Sequence, residues 1–325
     1  MLSTPLAQPN LKLYLQNRKP VWNAIALLYT LTGYSGGIAL LLINNGWLNA
    51  IGVVLLCHSL MYAGYLSHEF LHGTVFQSAR LNQLGGNLMI GLTGNCYRPF
   101  SDMVKLHMAH HAGKVSPVQL GDYVRSLPAW LQWTVLGLEW SYFPAMHFVL
   151  KGRLLTAPFR QPGNWGLRSR TLALLLLRGV GFTLLGYLSG RALLLYFLAY
   201  LLAVTLLRIE ETFQHAVVRT AAGGYEETFS PLLSERYGWL SLLFLNFSYH
   251  NAHHVLPRCP WYNLPVLDQA LAADRPMHHL SLIQLLANYH RFRLTRILEG
   301  TGQPVDQQGK FNLDRFYGRM APLPL

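Results

Sequence analysis

Residues 48–72 read LNAIGVVLLCHSLMYAGYLSHEFLH. The stretch 48–67 carries no Asp, Glu, Lys or Arg, and as a helix rising about 1.5 Å per residue it spans a bilayer core of about 30 Å. Directly after it come His68 and His72, four positions apart, so a continued helix carries both imidazoles on one face. Just upstream, Asn44-Asn45-Gly46 is a turn signal, and 21–43 is another apolar run of spanning length. Further on, 171–189 and 191–209 form a similar pair joined at Ser189-Gly190. The expected fold is therefore an all-α integral-membrane protein with four transmembrane helices arranged as two hairpins.

Composition supports that class. Hydrophobic residues make up 51% of the chain and charged residues 12%, about half the charged share of a soluble globular domain. The formal charge is +12, from 26 Lys and Arg against 14 Asp and Glu. These cations lie in the segments between apolar runs, where they orient the protein and meet anionic lipid; nucleic acid is not an expected partner. Lys12, Arg18 and Lys19 precede the first hairpin, ten Lys or Arg separate the hairpins, and the outer turns hold only Arg191. By the positive-inside rule, both termini and the central region are expected to be cytoplasmic. The polar residues 1–20 end in Arg18-Lys19-Pro20 and read as the cytoplasmic flank of the first span, not as a cleavable leader. A single membrane domain is expected over 21–299, followed by a polar tail with Pro and Gly over 300–325.

Segment 129–150 is apolar but carries Trp130, Trp133, Glu139, Trp140 and Pro144. That mixture suits the membrane interface, and a lone crossing would put later histidines on the wrong side. Segment 84–95 is too short to cross. Arg178, inside the third span, is costly unless it snorkels or faces protein. Cys57, Cys96 and Cys259 are scattered, which fits neither a disulfide framework nor a zinc knuckle.

Histidine is the strongest anomaly: 14 residues, eight of them in three short clusters. His68 and His72 form the first, His107, His110 and His111 the second, and His250, His253 and His254 the third. All are placed at one membrane face with helical spacing. Imidazole suits first-row transition metals, and eight converging rings exceed the needs of one ion, so two metals are expected. His58 is expected to be a packing residue within its span, and His147, His278, His279 and His290 to be structural or solvated. His68-Glu69-x-x-His72 also matches the zinc metalloprotease pattern with Glu69 as base, but that reading leaves two clusters unused. A metal transporter would place its ligands near the membrane midplane, not at span exits. Glu69 and His72 supply one Glu-x-x-His, whereas the soluble di-iron fold needs two.

The order and spacing of the clusters resemble the three histidine boxes of membrane fatty acid desaturases and related hydroxylases, over roughly 20–265. The run Asn246-Phe247-Ser248-Tyr249-His250-Asn251-Ala252-His253-His254, with Pro257 and Pro260-Trp261-Tyr262 after it, is similar to the third box of bacterial members. The resemblance implies a bacterial inner-membrane enzyme and a helical cytoplasmic cap holding two irons on these eight histidines. It also implies a ninth ligand after the fourth span, where His215 stands in Glu211-Thr212-Phe213-Gln214-His215. Glu211, Gln214 and Asn251 are candidates for orienting ligands by hydrogen bonds. Dioxygen is the implied oxidant, and the implied reaction is acyl-chain desaturation, with hydroxylase, ketolase or acetylenase chemistry on a lipid or carotenoid as the alternative. Electrons would come from a separate ferredoxin, rubredoxin or cytochrome b5 type partner, since the chain has neither a fused cytochrome b5 haem motif nor a cysteine quartet.

Overall fold

A computed structural model describes residues 11–16, 18–94, 98–114, 120–160, 163–220, 223–273, 277–306 and 310–319. Cys96, the first ten residues and the last six lie outside this set. A short helix, α1 (Leu11–Gln16), precedes the hairpin of α2 (Pro20–Leu42) and α3 (Gly46–His72). Then come α4 (Ala79–Thr93), α5 (Phe100–His111), α6 (Leu120–Arg125), α7 (Ala129–Trp140) and α8 (Ala145–Arg160). The second hairpin is α9 (Trp165–Leu188) and α10 (Gly190–Thr212). It is followed by β1 (His215–Thr220), β2 (Gly223–Thr228), β3 (Ser230–Leu232), α11 (His250–Val255), α12 (Leu264–Ala272), β4 (His279–Ser281), α13 (Leu282–Arg291) and α14 (Thr295–Leu298).

Four helices, α2, α3, α9 and α10, are long and apolar enough to cross a membrane, as the sequence predicts. Over its most apolar window α3 is 67% buried and α9 only 11%, which makes α3 the central helix and leaves α9 mostly for lipid. Glycines bring α2 onto α3: a Cβ on Gly37 would lie 2.9 Å from the Leu56 Cβ and 3.2 Å from the Gly52 carbonyl oxygen. In lipid, such close backbone approach is a main source of helix association. The Asn44-Asn45-Gly46 turn is closed by side chains. Asn45 caps α3 by accepting from the Leu48 amide, and Asn49 donates to the carbonyls of Leu40 and Ile43 at the end of α2. Arg191 donates to Asn44 Oδ1 and the Ile43 carbonyl, tying the second hairpin to the turn of the first.

Arg178 faces protein: its Nη1 donates to the Gly91 carbonyl at the end of α4, which supplies an acceptor for a charge otherwise stranded in hydrocarbon. Segment 129–150 breaks at Tyr142 (φ 65°) and Pro144 into α7 and α8. Trp130 and Trp133 remain 70% and 76% exposed, as an interfacial helix requires.

The helical architecture carries two additions. β1 and β2 pair antiparallel, with His215 opposite Thr228; β3 and β4 pair parallel, with Ser230 opposite His279. Each sheet has two strands, and both pack beyond α10. The segment after residue 300, expected as a polar tail, contributes Val305 and Phe316 to a core with Phe213, Phe229 and Tyr289. Asn288 fastens it by donating to the carbonyls of Leu313 and Phe316.

Candidate metal centre

The last two turns of α3 carry His68 and His72, 2% and 3% exposed, before Gly73 (φ 69°) ends the helix. α5 presents His107 and His111 on one face and His110 on the next. Two residues in the left-handed region, Leu245 (φ 50°) and Asn246 (φ 57°), redirect the chain into α11. Asn246 holds that bend by accepting from Ser241 Oγ and donating to the Trp261 carbonyl. The first turn of α11 then directs His250, His253 and His254 at the other two clusters. His215 opens β1, three residues past the end of α10.

All nine histidines meet, in two adjoining groups. Nitrogens of His68, His72, His107, His111 and His253 lie within 4.8 Å of one another, as do those of His110, His215 and His254. His250 joins the second group, its Nε2 2.7 Å from that of His215. His111 and His254 adjoin across the two groups, with ring centroids 4.4 Å apart. Within the first group, successive Nε2 atoms are 3.3 Å (His68–His72), 2.8 Å (His72–His107), 3.1 Å (His107–His111) and 3.1 Å (His111–His253) apart. Two imidazole nitrogens bound about 2.1 Å from one ion at right angles stand about 3 Å apart, so these spacings fit ligands around a common centre. Five nitrogens facing one point cannot all satisfy one another by N–H···N bonds, since each neutral ring has only one proton. A cation at that point resolves the conflict. Burial, reinforced by the neighbouring histidines, holds His107, His250, His253 and His254 well below the usual imidazole range. They are therefore neutral and able to coordinate near pH 7.

The surrounding bonds separate ligands from supports. Glu69 accepts from Thr74 Oγ1 (2.6 Å) and the Trp261 amide (3.3 Å), so its carboxyl group joins α3 to the segment before α12. The Asn251 side chain donates to the His278 carbonyl and its backbone amide donates to Ser230 Oγ, fixing α11 to the β3–β4 sheet. Gln214 donates to Glu210 Oε2, and Glu211 lines a neighbouring cavity. Glu210 is the support that sequence reasoning missed. It is fully buried and also receives Ser248 Oγ, just before α11. A carboxylate beside Glu211 in an otherwise apolar helix is the signal that marks it.

The remaining histidines lie elsewhere. His58 bonds Tyr29 and the Leu243 carbonyl, and His290 bonds Tyr142. His278 lies 3.7 Å from Glu227, and His279 2.7 Å from Asp268, whose hydrogen bond raises the His279 pKa. Cys57 and Cys259 are buried free thiols.

Among known proteins, the family model described as fatty acid desaturase matches residues 45–286. No curated protein sequence matches the chain. The matched stretch contains every histidine of both groups and three of the four long apolar helices whole. The chain therefore belongs to the fatty acid desaturase family and is an oxidoreductase of the desaturase and hydroxylase kind.

Proposed function

We propose that this protein is an acyl-chain desaturase that uses dioxygen and two histidine-held irons. The observation that carries this reading is the pair of adjoining histidine groups at the exit of an apolar helix bundle. His68, His72, His107, His111 and His253 would hold one ion, and His110, His215, His250 and His254 the other. Iron supplies the oxidising power toward an unactivated methylene that no amino-acid side chain has. The protein's share is placement. α3 and α10 bring the histidines to the level where a chain buried in the bilayer meets the surface, and Phe247 packs against His68 and His253 at ring distances of 4.6 and 5.7 Å. Apolar walls beside it keep water from the reacting carbon. The excess of basic residues at this end supports a cytoplasmic orientation and steers an acidic electron donor of the ferredoxin, rubredoxin or cytochrome b5 type.

The test is metal and lipid analysis of the wild type beside His110→Ala and His253→Ala. The wild type should carry about two irons per chain and yield new double bonds in host acyl lipids. Each variant should lose about one iron and all product. New hydroxyls without double bonds would assign the hydroxylase outcome. A single zinc retained in both variants would overturn the centre itself.

A further inference from the structure

Between α3, α8 and α10 lies a small cavity, with about 40 Å³ of room for water-sized groups, enough to admit a hydroxyl. One wall is apolar, made by Leu60, Gly64, Ala203 and Leu207, and Phe247 separates it from the histidines. The other end is polar. Two of its side chains are already committed: Tyr200 accepts from Lys151 Nζ and donates to the Thr93 carbonyl, and Arg208 is paired with Glu139 at 2.9 Å.

Two are not. His147 is 6% exposed, yet its Nε2 has no hydrogen-bond partner among the described residues, and neither has Glu211 Oε2. An unsatisfied buried polar atom costs about 1–3 kcal/mol, so two of them on one cavity mark a place for a ligand that bonds. Burial first, then Lys151 and Arg208, lower the His147 pKa to about 3, so the ring faces the cavity uncharged. With Arg208 already neutralised and an apolar opposite wall, a charged headgroup would be stranded here. A hydroxyl suits the site best, because it can accept from a ring N–H and donate to a carboxyl oxygen.

We propose that this cavity holds the hydroxyl group of a long-chain lipid, with His147 and Glu211 as its hydrogen-bond partners. This rests on the lipid-oxidising reading and names its substrate class: a hydroxylated chain whose methylenes lie along the Leu60 and Leu207 wall and pass Phe247. His147 is then a specificity residue and not a structural one.

The test is binding, which needs no turnover. Detergent-purified protein is titrated with octadecan-1-ol and with octadecane, following thermal unfolding. The alcohol should bind the wild type about tenfold more tightly, as one to two buried hydrogen bonds allow. His147→Gln, which keeps a bonding group at the same reach, should retain that preference. His147→Leu should bind both ligands alike. Equal affinity of the wild type for the two ligands would overturn the proposal, whether or not the leucine variant folds, and would show that the polar atoms bind only water. A preference that survives in His147→Leu would overturn the role of His147. Preferential alcohol binding without any oxidised lipid in cells would keep this pocket and reject the desaturase reading, so the two failures are distinct.

Discussion

Glu139 and Arg208 meet across 69 positions of sequence, with Nη2 2.9 Å from Oε2 and Nη1 3.2 Å from Oε1. Oε1 also accepts from the Met146 amide (2.7 Å), at the start of α8. The two side chains are only 2% and 9% exposed, so removing one charge leaves the other buried and poorly paired. Glu139→Gln should cost about 3 kcal/mol, read as a lower unfolding temperature in detergent. Glu139→Leu combined with Arg208→Met should recover most of that loss. A single variant within about 0.5 kcal/mol of wild type, the range of ordinary surface changes, would deny the pair a structural role. Nothing local in the sequence announces this contact. The three histidine clusters were legible because three- and four-residue spacing fixes a shared helical face. His215 was not legible that way: it stands alone at the head of a strand, and only the family resemblance pointed to it. Asn251 and Gln214 donate to the His278 carbonyl and to Glu210, partners that their place beside a ligand in sequence does not announce.

Among the helices, the α2–α3 interface is set by glycines at 33, 37 and 52. A Cβ on Gly33 would fall 2.2 Å from Ser59 Oγ, and one on Gly52 would fall 3.0 Å from the Gly37 carbonyl oxygen. Gly37→Leu must therefore push apart two backbones, not a flexible side chain, and should cost about 1–3 kcal/mol. Gly179→Ala in α9 meets nothing within 4 Å and should leave the unfolding temperature near wild type. Equal stability of the two variants would show that close α2–α3 packing contributes little. The spans themselves were legible, since apolar length has few other meanings, and their helices extend past the apolar runs: α3 continues through His72, and α9 begins at Trp165. Apolar counts end at the first polar residues, whereas the helix continues wherever those residues find partners in protein. The two small sheets were missed because they depend on pairing beyond the local pattern; β3 and β4 lie 49 positions apart in register. The burial of Phe316 was hidden in the same way, by distant partners on α13 and at the end of α10.

For the molecule as a whole, nine histidines in one buried centre make acid the natural denaturant. In the fold, His107, His250, His253 and His254 are held well below their ordinary pKa, chiefly by burial. In the unfolded chain each would titrate near about 6.5. Above that value both states are neutral at these rings, and stability should not depend on them. As pH falls through about 6.5, the unfolded chain takes up protons that the fold cannot, and each histidine removes up to about 1.4 kcal/mol of stability per pH unit until its folded pKa is reached. His279 acts in the opposite sense. Its pKa is raised by Asp268, so it stabilises the fold in acid and loses that contribution as pH rises through its folded pKa; as one partly exposed group it offsets little. Metal should deepen the acid sensitivity, because bound ligands must be deprotonated and any ion released leaves the rings facing one another. The unfolding temperature of purified protein should therefore be flat from pH 8 to about 7 and fall steeply below about 6.5. Treatment with a chelator at pH 7.5 should lower it as well, and added ferrous iron should restore it. A profile that stays flat down to about pH 5, with no response to chelation, would mean that the histidines are solvated in the working protein and that the converging centre does not exist there.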